Sequence, residues 1–184
     1  MSGKEFRVPP FISQYSALSS EWAHRGCGLV ALKIVLDFWH NQDTKNLTLP
    51  IEVLLERALA LSAYREGIGW THAGLTSLAR ALGYEAFNRD LPSEHPAVSI
   101  DGALSILQSD LLYGPVLVSI WKNFDPIQKG GHIVIVNKVE GEVFSVIDPE
   151  MKDEVGGRYD KDRFSFAQGF KMRSICVFPT ERVS

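Results

Sequence analysis

The segment 24–39 contains the residue best suited to covalent chemistry, Cys27, which lies between two glycines. A strongly apolar run with helical spacing follows it, so the sequence predicts a thiol at the N-terminus of a helix. Backbone N–H groups and the helix dipole favour a thiolate there, and a thiolate is a nucleophile. The alternative is a buried, inert cysteine, the more common role of a lone thiol.

A histidine and an aspartate lie at the open end of a predicted β-hairpin, formed by the segments 132–139 and 142–148. A three-residue loop ending on Gly141, with a bulge, would pair Val136 with Phe144 and place His132 directly opposite Asp148. A two-residue turn would shift the register by one residue and put them on opposite faces. A carboxylate beside an imidazole fixes its tautomer and stabilises the imidazolium. The alternative is a His–Asp pair that merely closes a sheet.

The elements that must position these residues change from helices to strands along the chain. Apolar spacing predicts helices over about 27–40, 50–61, 71–82 and 101–112. Strand-like runs are found at 84–88, 116–121, 132–139, 142–148 and 173–178. The first helix is apolar around most of its circumference, which is typical of a buried helix. We therefore expect an α+β fold in which a buried, Cys-bearing helix packs on a mostly antiparallel sheet.

The composition is that of an ordinary globular protein, and it predicts a single domain over 1–184. A net charge of −3 and the absence of a basic cluster argue against nucleic acid and anionic membranes as partners. No apolar run reaches transmembrane length, and the start of the chain lacks the apolar core of a signal peptide. These features predict no membrane insertion and a cytoplasmic location.

Metal and cofactor chemistry finds little support in the sequence. Cys27 and His24 are too few ligands for zinc, and the chain contains no phosphate-binding or dinucleotide-binding glycine loop. The second cysteine, Cys176, lies in a strand-like segment and is expected to be structural. The sequence therefore predicts no metal and no cofactor.

With Cys27, His132 and Asp148 in this order, the chain resembles the papain-like cysteine peptidases. It looks closest to stand-alone bacterial relatives of the double-glycine leader peptidases, which also occur as peptidase domains of bacteriocin exporters. The residues that carry the resemblance are Gly26-Cys-Gly-Leu-Val-Ala-Leu32, Gly69-Trp-Thr-His-Ala-Gly-Leu75, Gly130-Gly-His-Ile-Val-Ile-Val136 and Val146-Ile-Asp-Pro149. The resemblance implies a papain-like fold, with Cys27 as nucleophile, His132 as general base and then acid, and Asp148 orienting the imidazole. A peptide or protein substrate is implied, and a transporter or secretion partner is left open.

The family also implies a glutamine upstream of the cysteine that completes the oxyanion hole. Gln14 is our choice, because the segment 8–14 resembles the opening of the stand-alone relatives. The spacing of the exporter type leads instead to Glu21, whose carboxylate would repel an oxyanion.

Further residues are expected around the substrate. Gly26, Trp70 and Gly131 are our candidates for substrate binding, and His72 is either an exposed or capping residue or part of the cleft wall beside Trp70. Three functions stay open on this reading. They are a thiol hydrolase that cleaves peptide bonds, a thiol acyltransferase or transglutaminase-like enzyme, and a catalytically inactive peptide-binding module.

Overall fold

The computed structural model describes residues 8–128 and 130–180. Its helices are α1 (Gln14–Ala17), α2 (Cys27–Gln42), α3 (Ile51–Ala60), α4 (His72–Ala81), α5 (Leu91–Glu94), α6 (Ile100–Asp110), α7 (Glu154–Gly157) and α8 (Arg163–Gly169). Its strands are β1 (Tyr64–Arg65), β2 (Gly69–Trp70), β3 (Tyr84–Asp90), β4 (Val116–Trp121), β5 (Gly131–Glu140), β6 (Val143–Ile147), β7 (Arg158–Asp162) and β8 (Phe170–Pro179). A short 3₁₀ turn, Lys122–Phe124, follows β4.

One antiparallel sheet organises the described residues, with its six strands in the order β3-β8-β4-β5-β6-β7. The strands β1 and β2 form a separate two-stranded hairpin. The central strands β4 and β5 are buried on both faces, which explains why their sequences are nearly continuous apolar runs. The α+β fold expected from the sequence is confirmed.

Side chains that alternate along each strand build two cores, one on each face of the sheet. Ile133 and Ile135 of β5 join a core that includes residues of α2, α3 and α4. Val134 and Val136 point to the other face and join a core with residues of α6 and α8. The helix α2 is thus pressed against the sheet by other helices, as its apolar circumference predicts.

The two cysteines belong to different faces of the sheet. Cys27 begins α2 and packs on the edge of the first core, whereas Cys176 lies in β8 within the second core. Both thiols are free. Among the residues described, no helix has the length and apolar character needed to cross a bilayer.

Candidate active site

The Cys27 thiol stands at the first position of α2, with Gly26 as the N-cap residue. It is half-buried and opens into a cleft of about 610 Å³. His132 from β5 and Gln14 from α1 line the same cleft. The cleft therefore gathers side chains from α1, α2 and β5, and one of them is a thiol at a helix N-terminus.

His132 is buried and is bonded to a buried carboxylate. Its Nε2 lies 2.7 Å from Oδ1 of Asp148. The other carboxylate oxygen, Oδ2, accepts a hydrogen bond of 3.0 Å from the Tyr159 hydroxyl. The backbone N–H of Glu150 donates to Oδ1 at 2.9 Å. Because these donors hold Asp148 in place, the carboxylate fixes the imidazole through Nε2. The other ring nitrogen, Nδ1, then remains to interact with groups in the cleft.

Charge and hydrogen bonding oppose burial at this histidine. Burial by itself lowers the pKa of His132, but hydrogen bonds to Asp148 and Cys27 and the charges of both raise it to about 10. Burial likewise acts to raise the pKa of Asp148, yet the hydrogen bond to His132 and its positive charge hold that pKa below its usual value. The arrangement therefore favours a charged imidazolium beside the Asp148 carboxylate.

The turn between β5 and β6 differs from the one expected from the sequence. Glu140 pairs with Val143, so the strands are joined by the two residues Gly141 and Glu142. Gly141 has a φ of 58°, a conformation that favours glycine. The expected pairing of Val136 with Phe144 is wrong, because Val136 lies opposite Val146.

A bulge in β5 keeps His132 and Asp148 on the same face of the sheet despite the two-residue turn. The register shifts between Val136 and Lys138, which leaves Asn137 as an extra residue in β5. A two-residue turn alone would put His132 and Asp148 on opposite faces, and the extra residue returns them to the same face. Extending the observed register places Val134 opposite Asp148, so His132 lies diagonal to the carboxylate rather than directly opposite.

Gln14 lies at the floor of the cleft, and α1 is anchored to the end of the hairpin. The Gln14 backbone N–H donates to the carbonyl of Pro149 at 2.8 Å. The side chain is only 1% exposed, and within the described residues its Oε1 has no hydrogen-bond partner. A buried carbonyl oxygen without a partner is costly, so a hydrogen-bond donor that enters the cleft and bonds Oε1 would gain that energy.

Glu21, the other candidate for this role, points elsewhere. Its side chain is exposed and lies 3.8 Å from the Arg25 guanidinium. It does not line the cleft, whereas Gln14 does. The structure thus brings Gln14 close to Cys27 and leaves Glu21 at the surface.

The glycine before the cysteine has a packing role. A Cβ at Gly26 would lie 2.1 Å from Cδ1 of Leu18 and 3.2 Å from the carbonyl oxygen of Trp22. Gly26 is buried and is not part of the cleft wall. Its small size is therefore explained by the close approach of the α1–α2 connection, not by room for a substrate.

Trp70 and Gly131 do line the cleft. The Trp70 indole N–H donates to the carbonyl of Arg25 at 2.6 Å, which fixes the ring beside the start of α2. Gly131 is exposed at the beginning of β5, next to His132. A Cβ there would lie 3.4 Å from Nζ of Lys171. Both residues therefore line the cleft into which the Cys27 thiol opens.

Further residues surround the reacting groups, and Lys122, Glu150 and Tyr159 among them were not found from the sequence. His72 lies in the cleft wall, as one of its two interpretations held, and its Nε2 is 2.6 Å from Oγ of Ser119. Lys122 and Glu150 form an ion pair at 3.0 Å within the cleft. Tyr159 reaches Asp148 from β7. Lys122, Glu150 and Tyr159 have no local motif, because their positions depend on which strands are neighbours in the sheet.

Comparison with known proteins supports the fold expected from the resemblance. No protein-family model matches the chain, and no curated protein matches it in sequence. A protein from Bacillus anthracis described as a C39-like peptidase superimposes with a TM-score of 0.64 at 17% identity, over 94% of this chain and 96% of that one.

Two transporter-derived peptidase domains share the same fold. One is the double-glycine-motif protease from an AMS/PCAT transporter, crystallised with a leader peptide, with a TM-score of 0.59 at 19% identity over 97% of this chain and 96% of that one. The other is the peptidase domain of Streptococcus ComA, with a TM-score of 0.55 at 16% identity over 96% of this chain and 100% of that one. The chain thus has the fold of the double-glycine, or C39-like, peptidase domains.

Proposed function

We propose that this protein is a cysteine peptidase, with Cys27 as its nucleophile and His132 as its general acid and base. The observation that carries the proposal is one cleft that holds a thiol at a helix N-terminus, an imidazole bonded to a buried carboxylate, and a buried glutamine amide. Each feature alone is common in protein structures. Together they supply the nucleophile, the base, its orienting group and an oxyanion donor for acyl transfer.

The reaction begins from an imidazolium–thiolate pair, in which His132 has taken the proton of the Cys27 thiol. The sulfur attacks the carbonyl carbon of the peptide bond, and the carbonyl π electrons move to oxygen. The C–N bond then breaks while His132 gives its proton to the leaving amine, which leaves a thioester on Cys27. A water molecule loses a proton to His132, attacks the thioester and releases the carboxylate product with the thiol restored.

The oxyanion of each tetrahedral intermediate is proposed to lie between two donors. The backbone N–H of Cys27 is one, and the side-chain amide of Gln14 is the other. Negative charge at the N-terminus of the 16-residue helix α2 is also favoured by the helix dipole. The buried position of Gln14 supports this role, because a donor held rigidly in a water-poor site needs no reorganisation during the reaction.

The proposed substrate is a peptide or protein segment that enters the cleft between the β1–β2 hairpin and the start of β5. Tyr64 and Trp70 of that hairpin and Gly131 of β5 line this opening. The protease from the AMS/PCAT transporter holds a leader peptide on the same fold, and this supports the peptide class for our protein. We propose Trp70 and Gly131 as substrate contacts, and the geometry of Gly26 argues for a supporting role only.

Hydrolysis is tested with a mixture of internally quenched peptides whose products are identified by mass spectrometry. We expect the wild type to cleave a subset of them and Cys27→Ala and His132→Ala to cleave none. Cys176→Ser is the matched control, since that thiol lies in the opposite core, and it should keep its activity. Turnover that survives in Cys27→Ala would contradict the proposal. Products in which an added amine, rather than water, takes the acyl group would identify an acyltransferase instead.

The state of the thiol is tested separately by alkylation with iodoacetamide, followed by mass spectrometry. Burial raises the pKa of the Cys176 thiol, so this residue should stay unmodified in the folded protein at neutral pH. Cys27 should react readily at neutral pH, and His132→Ala should slow this reaction, because the thiolate is the reactive form and the imidazole that takes its proton is missing. A Cys27 that reacts no faster than an ordinary thiol, in a protein that still binds peptides, would point to the inactive binding module.

A further inference from the structure

The cleft is richer in cations than in acids, although the whole chain carries a net charge of −3. Four cationic and two acidic side chains line it. Three of the cations have carboxylate partners, in the pairs Arg25–Glu66 at 3.3 Å, Lys122–Glu150 at 3.0 Å and Arg173–Asp90 at 3.0 Å. The fourth, Lys171, has no ion pair within residues 8–128 and 130–180. The cleft therefore contains one cation whose charge the described residues do not balance.

The ammonium of Lys171 is held in a defined place rather than extended into solvent. Its Nζ lies over the ring of Trp121, 4.1 Å from the ring centroid. The strand β8 bulges at this point, because Ser119 pairs with Arg173 but Ile120 pairs with Phe170. β-Bulges commonly re-aim a side chain next to a functional site.

The backbone at this bulge is strained. Met172, the residue after Lys171, has a φ of 53°, which non-glycine residues rarely adopt. Strain of this kind persists only where the surrounding structure imposes it, and it clusters at functional sites. The bulge is thus a feature that the fold maintains at the edge of the cleft.

The position of Lys171 relative to the reacting groups follows from the order of the strands. Across the sheet, the neighbouring strands are β8, β4, β5 and β6 in that order. Lys171 lies on β8, Trp121 on β4, and Gly131 and His132 on β5. Asp148 follows directly after β6. A Cβ at Gly131 would lie only 3.4 Å from the Lys171 Nζ, so the ammonium lies close to the residue that precedes His132 in β5. Lys171 thus lies on the β8 side of the reacting pair.

We propose that Lys171 forms an anion-accepting subsite on the β8 side of Cys27 and His132, and that preferred substrates place a carboxylate against it. The inference rests on the proposed peptidase function and narrows its substrates to peptides with an aspartate, a glutamate or a free C-terminus near the cleaved bond. Burial and the neighbouring Arg173 lower the pKa of Lys171, and a carboxylate would relieve both effects. A hydrogen bond between two charged groups is among the stronger polar contacts.

The test uses matched, end-capped peptides that carry Glu, Gln or Lys at one position at a time on either side of each bond that the protein cleaves. At one position we expect kcat/KM for Glu to exceed that for Gln by about tenfold, the usual scale of a charged hydrogen bond. Lys171→Met should remove this preference, and Lys171→Glu should turn it toward Lys. Lys45→Met is the matched control, because this exposed lysine follows the far end of α2.

The inference would be overturned if the wild type cleaved Glu and Gln peptides at equal rates at every position and also showed no preference for a free over an amidated C-terminus. A carboxylate preference that Lys171→Met leaves unchanged would overturn it as well. Peptides with free or amidated C-termini separate the two sources of carboxylate. If Lys171 favours peptides with a free C-terminus, the carboxylate is the terminal one. If Lys171 favours Glu over Gln in amidated peptides, the carboxylate is a side chain.

Binding to Cys27→Ala, measured by fluorescence anisotropy of the same labelled peptides, separates this inference from the proposed function. Tighter binding of Glu peptides that depends on Lys171, in a protein whose wild type cleaves none of them, would support the subsite and refute the peptidase. Cleavage by the wild type with no preference for a Glu side chain or a free C-terminus, in rate or in binding, would support the peptidase and refute the subsite.

Discussion

His132 and Asp148 meet diagonally across the β5–β6 ladder, and a hydrogen bond of 2.7 Å joins their side chains. Diagonal neighbours have Cα atoms about 7–8 Å apart, a span that a carboxylate and an imidazole can bridge together. The Asp148 backbone N–H donates to the carbonyl of Gly157 at 2.8 Å, so the residue is fixed just beyond the last strand position. The bond therefore depends on the end of β6 as much as on the ladder itself.

The role of Asp148 can be divided into orientation and charge by two substitutions. Asp148→Asn keeps an oxygen that can accept from the His132 Nε2–H, so we expect kcat/KM at neutral pH to fall less than in Asp148→Ala. Asp148→Ala removes the acceptor, and the loss should reach about 100-fold or more because the ring is no longer held. Steady-state kinetics on one cleaved peptide measures both.

Asp160→Asn is the control for this comparison, because that carboxylate accepts a hydrogen bond from Ser145 away from the cleft. It should leave the rate unchanged. If Asp148→Asn were as inactive as Asp148→Ala, the negative charge rather than the orientation would be the main contribution.

The alkaline limit of activity should follow His132. The leaving amine needs a proton from the imidazolium, so kcat/KM falls as the pH rises through the pKa of this residue, which is about 10. An unperturbed histidine would lose this proton near pH 6.5. In Asp148→Asn the carboxylate charge that helps raise the pKa is absent, and the alkaline limb should move to lower pH.

The pH–rate profile between about pH 5 and pH 11 gives this limb directly. Circular dichroism at each pH checks that the protein stays folded, and the Asp160→Asn variant should retain the wild-type limb. A wild-type limb near pH 6.5 would mean that His132 is not held as an imidazolium.

The candidate site could be predicted from the sequence where local signals exist. Cys27 precedes an apolar helical run, and His132 and Asp148 bound a β-branched hairpin, so composition and period indicate them as candidates, and the family resemblance supplies their proposed roles. The register between them could not be predicted, because Asn137 carries no sign that it is a bulged residue. The expected loop and the observed turn with its bulge both put the two side chains on one face of the sheet. The sequence therefore predicts that His132 and Asp148 lie together, although the register it predicts is wrong.

Two elements in the second half of the fold, β7 and α8, could not be predicted from the sequence. The strand β7 is short, rich in charge and lies at the sheet edge, so it lacks the alternation of a half-buried strand. The helix α8 has only seven residues, too few for a clear helical period. Tyr159 and Lys171 enter the site from β7 and β8, and only the order of the strands reveals their position.

Gln14 should affect the transition state rather than peptide binding. Loss of one oxyanion donor typically lowers kcat by about 10²- to 10³-fold, so we expect Gln14→Ala to do so with little change in KM. Glu21→Gln should be silent, since that side chain is exposed at the surface. Rates measured over a range of peptide concentrations up to saturation give kcat and KM separately.

Because Gln14 is buried, the stability of Gln14→Ala must be measured as well, by urea denaturation. A fall in kcat in a variant that is still folded at the assay temperature supports the oxyanion role. Wild-type kcat in Gln14→Ala, or a large loss in Glu21→Gln, would contradict it.

Gly26 offers a test of whether packing or substrate space explains the glycine before the cysteine. Gly26→Ala would bring a Cβ to 2.1 Å from Leu18 Cδ1, and overpacking of this kind typically destabilises by about 1–3 kcal/mol. Leu18→Ala removes the clashing atom, so the double variant should be more stable than the sum of the two single effects by about 1 kcal/mol. Urea denaturation of all four proteins measures this coupling.

Leu104→Ala provides the matched comparison, because Leu104 is fully buried in the other core, on the opposite face of the sheet. Its effect and that of Gly26→Ala should add to within about 0.5 kcal/mol, as independent sites do.

Peptidase activity of the Gly26 and Leu18 variants should follow their stability, because the clash displaces the segment that carries Gln14. Activity lost in Gly26→Ala should therefore return in part when Leu18 is also alanine. Additive losses in stability, with activity that Leu18→Ala does not restore, would instead place Gly26 in contact with the substrate.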